Sequence, residues 1–146
     1  MAAFQGKTVL VLGGRGIGAA FVRHFAAEGA AVSFTYEGSR EAAERLAAET
    51  SSTAVLTDSA DRDALTARVR ESGPLDVLVV HAGIGLFGDA LELDPDAVDR
   101  LIRINVHAPY HASVEAAWRM PEGARIIVIG SVNGDRMPFA DGAVYA

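Results

Sequence analysis

Apolar residues fall into two alternating patterns along the chain. Five short runs rich in β-branched residues, Thr8–Leu12, Ala31–Tyr36, Thr53–Leu56 and residues 76–80 and 125–129, have the length of a strand and are largely apolar at successive positions. Strands covered on both faces read this way. The stretches between them carry helical stripes: Phe21, Val22 and Phe25, then Ala42, Ala43 and Leu46, then Leu65 and Val69. Val98, Leu101, Ile102 and Val106 belong to a longer helix that runs towards Trp118. The alternation predicts an α/β domain over 1–146, with five parallel strands, four helices and helices on both faces of the sheet. Punctuation agrees: Gly29-Ala30 suits the C-cap of the first helix, Gly73-Pro74 ends the third, and Asp94-Pro95 offers an N-cap followed by proline in the first turn.

The first strand runs directly into Gly13-Gly14-Arg15-Gly16-Ile17-Gly18 and then a helix. Gly14, Gly16 and Ala19 satisfy G-x-G-x-x-G/A in a strand–turn–helix context, the mark of a Rossmann-type doubly wound sheet that holds a dinucleotide. Glycines let backbone N–H groups approach a pyrophosphate, and the helix N-terminus adds free donors. A turn that merely connects strand to helix is the bland alternative. Tyr36 ends the second strand, where an NAD-binding site would place Asp or Glu for the ribose hydroxyls. Its presence leaves room for a 2′-phosphate, with Arg15, Ser39 and Arg40 as candidate donors, so the expected cofactor is NADP(H). Arg40 reads equally well as a solvated residue at a helix start.

Composition narrows the remaining classes. Nineteen acidic residues against thirteen basic ones give a formal charge of −6, which opposes general binding to nucleic acid or an anionic membrane. No cysteine is present, so disulfides and thiolate chemistry are excluded. His107 and His111 have the i, i+4 spacing of metal ligands, yet no third ligand lies nearby in sequence, and no metal is expected. Neither a signal-peptide core nor an apolar run of about 20 residues occurs, which points to a cytoplasmic protein.

The marks then accumulate in order: the glycine turn, Asp58-Ser59 after the third strand, His81-Ala82-Gly83-Ile84-Gly85 after the fourth, Asn105 on the long helix, Ser131 closing the fifth strand and Tyr145 fourteen residues later. This set resembles the short-chain dehydrogenase/reductase family over the whole chain. The segments Gly130-Ser131-Val132-Asn133-Gly134-Asp135-Arg136-Met137-Pro138 and Ala108-Pro109-Tyr110-His111-Ala112-Ser113-Val114-Glu115 resemble a bacterial member that binds cyclic-di-GMP. The resemblance implies that Asp58, with Ser59 beside it, contacts the adenine and that Ala82 and Gly83 lie along the cofactor. It also implies that Asn105, Ser131 and Tyr145 are three of four catalytic residues, and that the intact protein is a homo-oligomer. Taken singly, Ser131 also reads as a strand-end cap, Tyr145 as a packed aromatic and Asn105 as a helix residue bonding a carbonyl.

Three positions depart from the family pattern. Leu12 stands four residues before Gly16, where the family's turn has its first glycine, so the turn is one residue short. His81 replaces the usual Asn before Ala-Gly. The family's Tyr-x-x-x-Lys would place its lysine beyond Ala146, and Lys7 is the only lysine in the chain. The sequence is therefore expected to be the N-terminal part of a longer fold, with the C-terminal part missing and no working reductase in these residues alone. The leading expectation is an NADP(H)-dependent oxidoreductase that moves hydride between the nicotinamide and a carbonyl or secondary alcohol. A regulator that binds cyclic-di-GMP without catalysis is the alternative. A methyltransferase on the same fold fits less well, since it has no use for Ser131 and Tyr145.

Overall fold

A computed structural model describes residues 2–137 and 139–146, so Pro138 of the 130–138 segment lies outside the described residues. Five parallel strands, β1 (Thr8–Leu12), β2 (Ala31–Tyr36), β3 (Thr53–Leu56), β4 (Val77–Val80) and β5 (Arg125–Val128), form one sheet in the order β3-β2-β1-β4-β5. Helices α1 (Ile17–Ala27), α2 (Arg40–Thr50) and α3 (Arg62–Glu71) follow the first three strands in turn. After β4 comes a long helix of three segments, α4 (Pro95–Ile102), a π-turn (Arg103–His107) and α5 (Ala108–Ala117).

The period-2 geometry of the strands divides the core. Val9 and Val11 of β1, Val32 and Phe34 of β2, and Val77 and Val79 of β4 pack with Val22 and Phe25 of α1 and Ala43 and Leu46 of α2. Leu10, Leu12, Leu78 and Val80 point to the other face, where they meet Leu65 and Val69 of α3 and Ala108, Ala112 and Ala116 of α5. Every residue of β1 from Val9 to Leu12 is buried, because its neighbours β2 and β4 and both helix layers cover it.

The edges behave differently from the expectation of strands covered on both faces. Ile126, Ile127 and Val128 of β5 keep about 36–51 % exposure, and β3 is only half-covered. The apolar composition of β5 thus marks a strand whose covering helices are absent among the described residues. Val106, grouped by periodicity with the core stripe of the long helix, is also exposed. The π-turn inserts one residue into the helical repeat, so Leu101 before it, Ile104 within it and Ala108, Ala112 and Ala116 after it face inward. Val106, Tyr110, Val114 and Trp118, spaced four apart, form an exposed apolar stripe on that helix. Among the described residues no helix is long and apolar enough to cross a membrane.

One residue, Asp76, ties the starts of three strands together through its carboxylate and its backbone. Asp76 accepts the Thr8 N–H through Oδ2 at 2.9 Å and the Lys7 ammonium through Oδ1 at 2.9 Å, while its backbone bonds Thr8 and Arg125. The Thr8 N–H and Lys7 hold its carboxyl below the ordinary carboxylate range. Asp76→Ala should lower unfolding free energy by about 1–3 kcal/mol, because a half-buried N–H loses its acceptor. A carboxylate with a depressed folded-state pKa stabilises above its unfolded pKa, about 3.9, and that gain is lost as pH falls through the lower folded value. Denaturant titrations should therefore show a constant gap between parent and variant from pH 5 to 7 that narrows below pH 4. A gap that widens in acid would refute this role.

Candidate nucleotide-binding site

The strand order reverses direction between β1 and β4, the place where open α/β sheets leave a crevice at the strands' carboxyl ends. The glycine turn after β1 and the His81 loop after β4 flank that crevice. Thr35 of β2 fixes the turn from one side: its Oγ1 accepts the Gly13 N–H at 2.9 Å and its carbonyl accepts the Gly14 N–H at 2.8 Å. His81 fixes it from the other, Nδ1 donating to the Gly13 carbonyl at 3.1 Å.

Gly14 of the G-x-G-x-x-G/A reading is required by the Phe34 ring, 2.2 Å from where its Cβ would stand, Gly16 has a φ of +52°, and two further glycines seat the shortened turn. A Cβ on Gly13, whose φ is +92°, would lie 2.8 Å from the Ala82 backbone nitrogen, and one on Gly18 would lie 1.8 Å from the Gly13 carbonyl oxygen. Gly13 thereby permits the close approach to the loop after β4, and Gly18 lets the first turn of α1 close over it. With the Gly13 and Gly14 N–H groups committed to Thr35, the N–H groups of Arg15, Gly16 and Ile17 are exposed and find no acceptor among the described residues. These are the donors that the start of α1 offers to an anion.

A cavity of about 440 Å³ occupies the crevice. The structure brings Gly13, Gly14, Arg15, Tyr36, Ser59, His81, Ala82 and Gly83 to its walls, together with Thr35, Glu37, Gly38, Thr57, Ile84 and Ile104, which the sequence reading did not single out. Thr57 is buried, and its hydroxyl has no hydrogen-bond partner. Arg15 has no carboxylate partner among the described residues, whereas Arg40 stands 3.9 Å from Glu44 on α2, as a solvated helix-start residue would. Ser39 precedes α2 without a side-chain capping bond. Neither Ser39 nor Arg40 lines the cavity, and nor do Gly16, Ile17 and Gly18.

Asp58, for which the resemblance implies an adenine contact, is not among the residues lining this cavity. Its carboxylate accepts two hydrogen bonds from Arg100 of α4, each 3.2 Å, and one from the Ala60 N–H at 2.8 Å. Partial burial pushes the Asp58 carboxyl up, but the Arg100 hydrogen bonds, the Ala60 N–H and the charges of Arg100 and Arg103 outweigh it and hold it below its ordinary value. Arg100 also donates to Glu37.

Of the three catalytic candidates, Asn105 sits in the π-turn and spends its amide on the loop after β4. Its Oδ1 accepts the Ile84 N–H at 2.9 Å and its Nδ2 donates to the Ile84 carbonyl at 2.8 Å. The Ser131 hydroxyl accepts the Asn133 N–H at 3.2 Å, which leaves its own proton free to donate. Tyr145 is half-buried, with its ring 5.3 Å from that of Phe87, itself 5.5 Å from Phe139. No hydrogen bond joins Ser131 to Tyr145 among the described residues. The His107 and His111 rings stand 6.4 Å apart, and no cluster of three potential metal ligands occurs among the described residues.

Comparison with known proteins agrees with this geometry. The profile of the family described as short chain dehydrogenase matches residues 7–146. The cyclic-di-GMP-binding biofilm dispersal mediator protein of Escherichia coli is 69 % identical over all of this chain and 62 % of its own length. Versicolorin reductase stcU of Emericella nidulans is 36 % identical over 97 % of this chain and 58 % of its own. Among solved structures, BdcA in complex with NADPH superposes with a TM-score of 0.97 at 70 % identity, covering 99 % of this chain and 59 % of that one. The chain thus spans about three-fifths of the length of these relatives. With the glycine turn, the switch-point crevice and Asn105 in the π-turn all in place, the chain belongs to the short-chain dehydrogenase family.

Proposed function

We propose that the cavity holds NADP(H) and that the protein is a cytoplasmic oxidoreductase acting on a small carbonyl compound or secondary alcohol. The observation that carries the cofactor is the pairing of free donors with a polar orphan in one crevice. Arg15 lies on its wall without a carboxylate partner among the described residues, the free N–H groups of Gly16 and Ile17 follow Arg15 directly at its rim, and Thr57 has an unpartnered buried hydroxyl in its wall. Such an arrangement fits a phosphorylated dinucleotide, whose pyrophosphate needs backbone donors and whose 2′-phosphate needs a guanidinium. The presence of NADPH in the BdcA structure supports the same reading.

The bound nicotinamide would supply hydride to a carbonyl carbon. This chain's residues would then manage the oxygen: Ser131, with its hydroxyl proton free, hydrogen-bonds it, and Tyr145 gives it a proton as negative charge develops there. Asn105 positions the loop carrying Gly83 and Ile84 through both ends of its amide. Lys7, the chain's only lysine, is committed to Asp76. The stripe of Val106, Tyr110, Val114 and Trp118 is a self-association face in this reading, which sedimentation of a Val114→Glu variant tests through loss of the oligomer.

Fluorescence or calorimetric titration should show NADPH binding more tightly than NADH. Arg15→Ala should weaken NADPH by about tenfold or more, the worth of one charge-assisted phosphate contact, with little change for NADH. Equal affinities of the parent for the two would sink the cofactor assignment. In NADPH-oxidation assays over a panel of ketones and aldehydes, any turnover should vanish in Tyr145→Phe while NADPH binding persists, and turnover that survives this change would overturn the catalytic roles.

The name of the Escherichia coli relative favours a second reading, a regulator that binds cyclic-di-GMP. Arg136, exposed just after the 3₁₀ turn Val132–Gly134, is its candidate donor to guanine or phosphate. Labelled cyclic-di-GMP should then bind the parent and bind Arg136→Ala more weakly. Unchanged binding would remove Arg136 from that role.

A further inference from the structure

The second strand ends on Tyr36, but the next residue is an acid, and Glu37 lies on the cavity wall. A carboxylate at this end of β2 favours a free ribose diol and opposes a 2′-phosphate through like-charge repulsion. The structure also shows what answers it. Arg100, on α4, donates through Nη1 to Asp58 Oδ2 and through Nη2 to Asp58 Oδ1, each at 3.2 Å, and the same Nη2 reaches Glu37 Oε1. Asp58 is itself fixed by the Ala60 N–H. A planar guanidinium held in two places by one carboxylate presents its remaining donor capacity in a set direction, which a flexible ammonium would not.

We propose that Arg100 is a specificity-determining residue for the cofactor, holding Glu37 and Asp58 in one charge-paired triad so that the site accepts a 2′-phosphate. The triad carries one net negative charge where the two acids alone would carry two. Arg100 is a positioning residue here and acts through Glu37, because the contacts shown are to the acids. The inference rests on the NADP(H) reading above. It gives Arg15 and Arg100 separate tasks: Arg15 attracts the phosphate, and Arg100 removes what would repel it.

The test is a set of NADPH and NADH titrations on the parent, Arg100→Met, Glu37→Gln and the double variant. Arg100→Met should weaken NADPH by roughly tenfold relative to NADH, the effect of one uncompensated charge a few ångströms away near a protein surface. Glu37→Gln alone, which leaves the Asp58 pair intact, should tighten NADPH severalfold and leave NADH nearly unchanged. The double variant should recover the parent's NADPH-to-NADH ratio. Equal weakening of both cofactors by Arg100→Met would show that Arg100 only supports the Asp58 loop, and would overturn the proposal. So would a double variant that keeps the altered ratio. Should Arg100→Met not fold, Glu37→Gln decides the matter: an unchanged ratio refutes the proposal. A parent without any preference for NADPH would overturn the cofactor reading itself, whereas a parent with the preference and an insensitive ratio would overturn only the role of Arg100.

Discussion

The site depends on the immobilisation of one two-residue stretch, Gly13-Gly14, between the strands on either side of β1. Thr35 takes both N–H groups of that stretch and His81 donates to its first carbonyl, so the turn is hydrogen-bonded to β2 and β4 at once. Thr35 is almost completely buried, which makes its two acceptor roles costly to replace. The missing Cβ at Gly13 permits the approach to Ala82, and the missing Cβ at Gly18 permits the helix to begin where it does. Because the Gly13 and Gly14 donors are consumed internally, the free donors move on to Arg15, Gly16 and Ile17, which face solvent at the start of α1. The turn is one residue shorter than the family's usual pattern, and this clamp explains how it still leaves the helix N-terminus with free donors.

The elements were legible because their signals are local. Strand composition, the stripes of α1, α2 and α3, and the Gly29, Gly73 and Asp94 punctuation place the elements, with boundaries at 76 and 129 off by one residue. The order β3-β2-β1-β4-β5 also follows once a doubly wound sheet is recognised. Cover from outside the element was not legible. The apolar residues of β5 look like those of β4, yet β4 has helices on it and β5 does not among the described residues. Val106 went astray because a π-turn changes the helical repeat, and no residue type announces one reliably.

The site was legible in the same uneven way. The residues on the Gly13 turn and the 81–83 loop sit on the cavity walls because they follow adjacent strands in the sheet. Thr35 carried a faint signal, a polar residue next to the end of a largely apolar strand. Glu37 carried one too, as an acid one place beyond the expected position. Arg100 carried none. Its partners lie 42 and 63 residues earlier, and only the packing of α4 beside the ends of β2 and β3 brings the three together.

Net charge and local charge answer different questions in this protein. The chain carries an excess of six negative charges, which says nothing against an anionic ligand if the acids near the crevice are accounted for individually. Most arginines are spoken for: Arg23, Arg40, Arg45, Arg62, Arg68, Arg70, Arg100 and Arg119 each have a carboxylate within 4 Å. Arg15 is not among them and lies on the cavity wall. Exposed pairs on helix surfaces contribute little to stability. Their distribution matters more for recognition, since a guanidinium already held by a carboxylate has less to offer a phosphate. In the proposed reading, electrostatic selectivity of the crevice follows from which arginine is left unpaired beside it and which acids are already paired, and the overall acidity of the chain does not decide it.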